Sequence, residues 1–207
     1  MESNTGIVVC RNILSREDQL KWIDIVEKKG GLKKDGQWNF FGKRGRHFDR
    51  LSNYEDVDYL KDCFLKFKTQ VEEIDSSLAF IDITHILTLW YPNKQGIGWH
   101  TDGYGGNDGD VGAPVYSLTL GNSCIFEYKL VGTKNKISVE LHSGDLIVFG
   151  GPQRLMWHTV SEVKMGSFDG LNARINITAR TCSDLTPEDD ARYQTDKYIE
   201  SIISNKK

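Results

Sequence analysis

Apolar positions along the chain follow one rhythm up to about residue 75 and another beyond it. Residues 6–11 (GIVVCR) predict a short strand. Ser15 then has the chemistry of a helix N-cap, with Asp18 three residues on in a capping-box-like position. Leu20, Ile23 and Val26 supply that helix's apolar stripe, and Gly30-Gly31 ends it. The clearest periodicity covers 55–75. There Val57, Leu60, Phe64, Phe67, Val71 and Ile74 recur at steps of three and four, which sets them on one helical face and predicts core. Between the two helices, residues 32–54 are polar, glycine-punctuated and aromatic, a pattern for a long loop or ragged hairpin.

From residue 79 the period falls to two. Segments 79–91, 114–120, 123–130, 136–141, 145–149, 157–163 and 172–181 are rich in Ile, Val, Thr, Phe and Tyr. Turn residues separate them, among them Gly121-Asn122, Ser143-Gly144 and Gly150-Gly151-Pro152. Short strands at such close spacing predict an antiparallel sandwich or jelly roll, with the helical N-terminal part packed on one sheet. The expected class is α+β, mainly β. The expected division is 1–78 as a helical extension carrying the 32–54 loop, 79–185 as the strand-rich core, and 186–207 as a C-terminal helix or tail that opens on Thr186-Pro187. A chain of 207 residues fits all of this into one structural domain.

Composition narrows the setting. With 39% hydrophobic and 27% charged residues the chain is ordinary for a globular protein, and no apolar run reaches the about 18 residues of a membrane span. The N-terminus, MESNTGIVVCRN, has neither a basic leader nor a long apolar stretch, so a cytoplasmic or nuclear protein is expected; a monomer is expected separately. Cys10, Cys63, Cys124 and Cys182 form no CxxC pair and are read as reduced, buried small hydrophobes. Net charge is −3, which excludes a generally polycationic nucleic-acid binder. Locally, however, Lys28, Lys29, Lys33, Lys34, Lys43, Arg44, Arg46 and Arg50 face only Asp35 and Asp49. That excess can meet phosphates or lie solvated on a loop and helix end; charge alone does not separate the two.

The chemistry sits later. Trp99-His100-Thr101-Asp102 closes a strand-like run and opens the glycine-rich stretch from Gly103. Residues two apart on a strand share a face, so His100 and Asp102 can reach one ion. His158 follows Met156-Trp157 on a later strand. Two imidazoles and a carboxylate form the facial donor set of non-haem iron(II) oxygenases. An HxD alone is weak, and a lone histidine is commonly structural. The third element is Arg174-Ile-Asn-Ile-Thr-Ala-Arg180, where Arg174, Asn176, Thr178 and Arg180 alternate with Ile175, Ile177 and Ala179. Arginines turned into a cleft require anionic partners, and the guanidinium fork suits a carboxylate. The same alternation also fits an exposed polar face.

Taken in order, these pieces resemble the AlkB family of 2-oxoglutarate-dependent nucleic-acid dealkylases. The matching motifs are Tyr91-Pro92, His100-Thr-Asp102, Pro114-Val-Tyr-Ser-Leu-Thr-Leu-Gly121, His142-Ser-Gly-Asp-Leu, Phe149-Gly-Gly, Trp157-His158 and Arg174-x-Asn176-x-Thr178-x-Arg180, over roughly residues 80–182. The resemblance implies a double-stranded β-helix (jelly-roll) core, Fe(2+), and 2-oxoglutarate and O2 as co-substrates. It makes His100, Asp102 and His158 the metal ligands. Arg174 would bind the distal carboxylate of 2-oxoglutarate, Asn176 and Tyr91 would hydrogen-bond the co-substrate, and Arg180 would lie near its keto-acid end and Asp102. The implied reaction is oxidative demethylation of an N-alkylated base in DNA or RNA, single-stranded or flipped out of its stack.

For substrate, Trp38, Phe40 and Phe41 are read as stacking residues, with Lys43, Arg44, Arg46 and Arg50 on phosphates. Two positions depart from the family pattern. Leu89 stands where many members carry asparagine, and Tyr104 stands where some nucleobase-repairing members carry an acid. Tyr104 can stack on a base or donate a hydrogen bond but cannot act as an anionic acceptor. Two further readings stay open: the same oxygenase chemistry on a protein side chain, lipid or small metabolite, and a non-catalytic jelly-roll module. Trp99 is expected in the core and His142 in a structural role; His47 and His85 show no partner at this level.

Overall fold

The computed structural model describes residues 6–30, 46–79, 82–102 and 113–181. Trp38, Phe40, Phe41, Lys43, Arg44, Tyr104, Cys182 and the expected C-terminal helix lie outside these. Ten strands form two antiparallel sheets. They are β1 (Ile7–Cys10), β2 (Arg46–Arg50), β3 (His85–Tyr91), β4 (Ile97–His100), β5 (Val115–Gly121), β6 (Ser123–Lys129), β7 (Lys136–Leu141), β8 (Leu146–Phe149), β9 (Trp157–Lys164) and β10 (Arg174–Arg180). The larger sheet runs β1-β8-β5-β10-β3-β2 and the smaller β4-β9-β6-β7. This is the expected jelly-roll core.

Two helices, α1 (Arg16–Gly30) and α2 (Val57–Ile74), cover the outer face of the larger sheet. Ser15 starts α1 as its capping chemistry predicts: its Oγ accepts from the Asp18 amide at 3.1 Å and donates to the Asp18 carboxylate at 2.7 Å. Asp18 also accepts from Tyr59 Oη at 2.8 Å, which ties α1 to α2. The buried stripe of α1 differs from the expected one. Leu20 is exposed, whereas Trp22, Ile23, Ile25 and Val26 are buried. The cause is Gln19, which points inward, accepts from Ser143 Oγ at 2.7 Å and donates to the Leu14 carbonyl at 3.0 Å. That polar anchor turns Leu20 outward. On α2, Leu60, Cys63, Phe64, Phe67 and Val71 are buried, but Ile74, in the last turn, is exposed.

Strand alternation sorts side chains between two cores. On β10, Ile175, Ile177 and Ala179 pack under the helices; on β8, Leu146 and Val148 do the same. Ile147 and Phe149 turn the other way and join Val115, Cys124, Phe126, Met156 and Val160 between the sheets. Arg174, Asn176, Thr178 and Arg180 share that inter-sheet direction and are all buried, so the alternative of an exposed polar face is ruled out. Cys10, Cys63 and Cys124 are free and buried, as expected.

Other expectations need adjustment. Segment 79–91 is strand only from His85, where pairing with Arg180 begins. Part of the expected 32–54 loop is instead β2, an edge strand on β3, followed by a 3-10 turn over Leu51–Asn53. Arg46 therefore lies on a strand and not in a loop. Lys28 and Lys29 of the basic stretch are engaged with Asp24 at 2.6 Å and Asp49 at 2.8 Å. His47 and His85 do have partners: His47 Nε2 lies 3.6 Å from Asp49, and His85 Nδ1 lies 2.9 Å from Thr84 Oγ1. Among the described residues no helix is long and apolar enough to cross a membrane.

One glycine sets the seating of β4. A Cβ on Gly96 would run into the Val160 carbonyl oxygen of β9. Gly96→Ala is expected to cost about 1–3 kcal/mol, as overpacking does, and to push β4 off β9. Urea unfolding reads the stability, and the mutant should also bind divalent metal more weakly, because β4 carries His100.

Candidate metal centre

Three donors converge at the mouth between the sheets. β4 ends at His100, whose Cα partner across the ladder is His158 of β9. Asp102 follows two residues past the strand end. His100 Nε2 lies 3.8 Å and His158 Nε2 3.9 Å from Asp102 Oδ1, and the potential ligand atoms all fall within 4.8 Å of one another. These are the three residues that the sequence picks out.

Each imidazole is aimed from behind. His100 Nδ1 lies 2.8 Å from the Gly98 carbonyl, and His158 Nδ1 lies 3.2 Å from the Met156 carbonyl. A carbonyl can only accept, so Nδ1 is the donor, and in the neutral ring Nε2 keeps its lone pair toward the shared point. His158 is further held by rings: Phe126 stacks on it at 5.5 Å and Phe149 lies at 5.2 Å. Burial pushes the His158 pKa below its ordinary value, against the opposing pull of Asp102, which favours the neutral, ligating form. Burial alone would raise the Asp102 carboxyl, but Arg180 foremost, then His158, His100 and Arg154, hold it well below the usual carboxylate range. The donor set is thus two imidazoles and a carboxylate, preoriented, and it fits a divalent iron.

Behind it lies the arginine strand, contributed by the opposite sheet. Arg180 Nη2 is 3.0 Å from Asp102 Oδ2, the contact expected between them. At the other end of β10, Arg174 is buried, and its guanidinium lies 5.0 Å from the centre of the Tyr91 ring. Its Nη2 donates to Thr119 Oγ1 at 3.0 Å and Asn176 Oδ1 at 2.9 Å. Its Nε and Nη1 have no acceptor among the described residues. A buried cation that meets neutral groups and keeps donors to spare fits an incoming carboxylate. Asn176 Oδ1 also accepts from Ser117 Oγ at 2.9 Å, and its amide donates to Thr178 Oγ1 at 2.8 Å. Asn176 is therefore locked by neighbours on its own and the adjacent strand. Leu89 is its Cα partner on β3.

Two features escaped the sequence reading. Arg154 donates to the main-chain carbonyls of Asp102 and Ala113, each at 2.7 Å. The second is Trp99, expected in the core but exposed, with Lys129 Nζ 4.6 Å from the ring centre; Trp157 is exposed as well. The alternation that would have shown it is simple: where His100 and His158 point between the sheets, their neighbours point out. His142 is held by Ser123 Oγ at 3.0 Å, the structural role expected of it.

Comparison with known proteins follows the same lines. Residues 6–180 match the 2OG-Fe(II) oxygenase superfamily. The chain is similar to the alpha-ketoglutarate-dependent dioxygenase AlkB of Escherichia coli K12, 32% identical over 73 residues, 34% of each chain. It is also similar to that of Salmonella typhimurium LT2, 31% identical over 78 residues, 36% of each chain. The match thus spans about a third of the length of these curated relatives. In fold it resembles OsALKBH1, with a TM-score of 0.62 and 22% identity over 87% of this chain and 100% of that one. A Pseudomonas putida prolyl-4-hydroxylase also superposes, with a TM-score of 0.55 and 14% identity over 86% of this chain and 94% of that one.

Proposed function

Because the chain belongs to the 2OG-Fe(II) oxygenase superfamily, we propose that it is an oxidative demethylase of N-alkylated bases in DNA or RNA, built on His100, Asp102 and His158. The observation that carries the reading is the pairing of this triad with a buried arginine strand: Arg180 on Asp102, and Arg174 with two unused donors. When bound, iron(II) and 2-oxoglutarate supply the activation of O2, with succinate and carbon dioxide as products. The chain's own residues do the rest. Arg174 receives the distal carboxylate on donors that the chain leaves free, and Tyr91 lies beside it to complete that end. Asn176, fixed by Ser117 and Thr178, holds the Arg174 fork in plane. Arg180 neutralises Asp102 and keeps its carboxylate turned to the histidines. Phe126 and Phe149 wall His158 and exclude water from the inter-sheet space.

Support for a nucleic-acid substrate comes from the AlkB relatives and from the rim of the site. Trp99 and Trp157 immediately precede the two ligand histidines, are exposed, and have Lys129 beside them. Indole faces with a nearby cation suit stacking on unpaired bases. In the basic stretch, Lys28 and Lys29 are already paired with acids, which leaves less charge for phosphates than the sequence suggests. Contacts by Trp38, Phe40, Arg44, Arg46 and Tyr104 with the substrate remain part of this proposal.

The test is succinate formation by purified protein with iron(II), ascorbate and 2-oxoglutarate, with and without methylated single-stranded oligonucleotides. Stimulation by the oligonucleotide, with release of formaldehyde, is expected. Succinate that no oligonucleotide stimulates would move the substrate to a protein side chain, lipid or metabolite. No succinate from metal-loaded protein would overturn the enzymatic reading. In the same assay Trp99→Ala with Trp157→Ala should weaken oligonucleotide affinity by about 10-fold or more, since base stacking contributes about 1–3 kcal/mol per base.

A further inference from the structure

The ligand Asp102 has a weakness that its histidine partners lack. His100 and His158 sit on paired strands, but β4 ends at His100, and Thr101 and Asp102 carry no sheet pairing. A carboxylate beyond a strand end needs its main chain held if its oxygens are to stay on one point. Arg180 restrains the carboxylate from the front, through Oδ2. Among the described residues, Arg154 is the one whose side chain grips the main-chain carbonyl of Asp102.

We propose that Arg154 is a positioning residue for the metal centre: by gripping the Asp102 carbonyl it fixes where the Asp102 carboxylate points. The inference rests on the triad being a metal site. Arg154 is buried, and its guanidinium spans two carbonyls, Nη1 to Asp102 and Nε to Ala113, both at 2.7 Å. Two donors held at fixed, diverging directions in one rigid plane fix direction as well as distance, which one rotatable ammonium does not do. The turn that presents Arg154 is itself anchored. Gly150 approaches so closely that a Cβ there would meet Leu78 Cδ2 at 2.9 Å and Pro114 Cα at 3.1 Å, and its amide donates to the Gly6 carbonyl at 3.0 Å. The Arg154 amide then closes on Gly151 at 3.2 Å and the Met156 amide on Gln153 at 3.0 Å.

The same turn ends at Met156, whose carbonyl faces His158 Nδ1 at 3.2 Å. Residues 151–156 therefore back two of the three ligands at once, Asp102 through Arg154 and His158 through Met156.

The experiment compares the purified full chain with Arg154→Lys, Arg154→Met and, as a control remote from the site, Phe67→Leu. Mn(II) affinity is measured without co-substrate, alongside thermal unfolding. Arg154→Met should weaken Mn(II) binding about 10–100-fold, the usual cost of losing an outer partner of a ligand, and Arg154→Lys should fall between it and the parent. Phe67→Leu should lower the melting temperature and leave Mn(II) affinity within about 3-fold of the parent. Folded Arg154→Lys and Arg154→Met variants that bind Mn(II) like the parent would overturn the inference, leaving Arg154 a structural residue. Should Arg154→Met fail to fold, Arg154→Lys alone decides. Asp102→Ala separates the two claims: if parent and Asp102→Ala bind Mn(II) equally, the triad is not the metal site and the reading beneath this one falls instead.

Discussion

His158→Ala is expected to remove turnover and to weaken divalent-metal binding by more than about 100-fold, beyond the about 10–100-fold that loss of an outer partner costs. The reason is geometric. His158 is the one ligand enclosed on several sides, by Phe126, Phe149 and His100, with its Nδ1 committed to Met156. Isothermal titration with Mn(II) checks the prediction, and parent-like affinity in the variant would remove His158 from the ligand set. pH adds a second reading of the same residue. Its folded pKa is depressed by burial from an ordinary 6.5, so the contribution to stability is full above that ordinary value and is lost as pH falls through the lower folded value. Metal occupancy should decline in the same direction, since protonated imidazole cannot ligate. His158→Ala should flatten the stability loss on the acid side of neutrality.

The second large effect belongs to Arg174. Arg174→Ala is expected to raise the 2-oxoglutarate requirement roughly 100-fold, because two charge-assisted hydrogen bonds at about 1.5 kcal/mol each would be lost. Arg174→Lys should recover little of this, since an ammonium keeps the charge but not the planar fork. Metal affinity without co-substrate should stay close to the parent's, as Arg174 lies at the opposite end of β10 from the Arg180–Asp102 pair. Arg174→Met tests the same assignment through stability. In the ligand-free chain this cation is buried against neutral oxygens, so its replacement by an apolar side chain should cost little. A variant that binds 2-oxoglutarate normally, or one that unfolds for want of Arg174, would show that the residue holds up the fold and does not receive the co-substrate.

Much of the molecule was legible because its rules are local. Period-two alternation in Arg174–Arg180 put the arginines on one side and the isoleucines on the other, and the sheets keep them so. Step-three-and-four spacing fixed the buried face of α2 as far as Val71. Where locality failed, a distant partner had intervened. Leu20 has the right spacing to be buried, yet Ser143 binds Gln19 and rotates the stripe. Trp99 is a different case: the alternation that turns His100 inward turns its neighbour outward, and that rule was legible in the sequence.

The sequence by itself determined the two helices, the run of short strands, the three ligand types and the polar face of β10, since each follows from backbone periodicity or from the chemistry of a named side chain. Only the tertiary structure decided that His100 lies opposite His158, that Arg180 meets Asp102 from the other sheet, and that the carbonyls of Gly98 and Met156 aim the imidazoles. It also decided that Arg154, 52 residues from Asp102, holds that ligand's main chain. The physical reason is common to all of these. Strand pairing brings together residues far apart in the chain, and a backbone carbonyl is the same on every residue, so neither contact leaves a mark in the order of side chains.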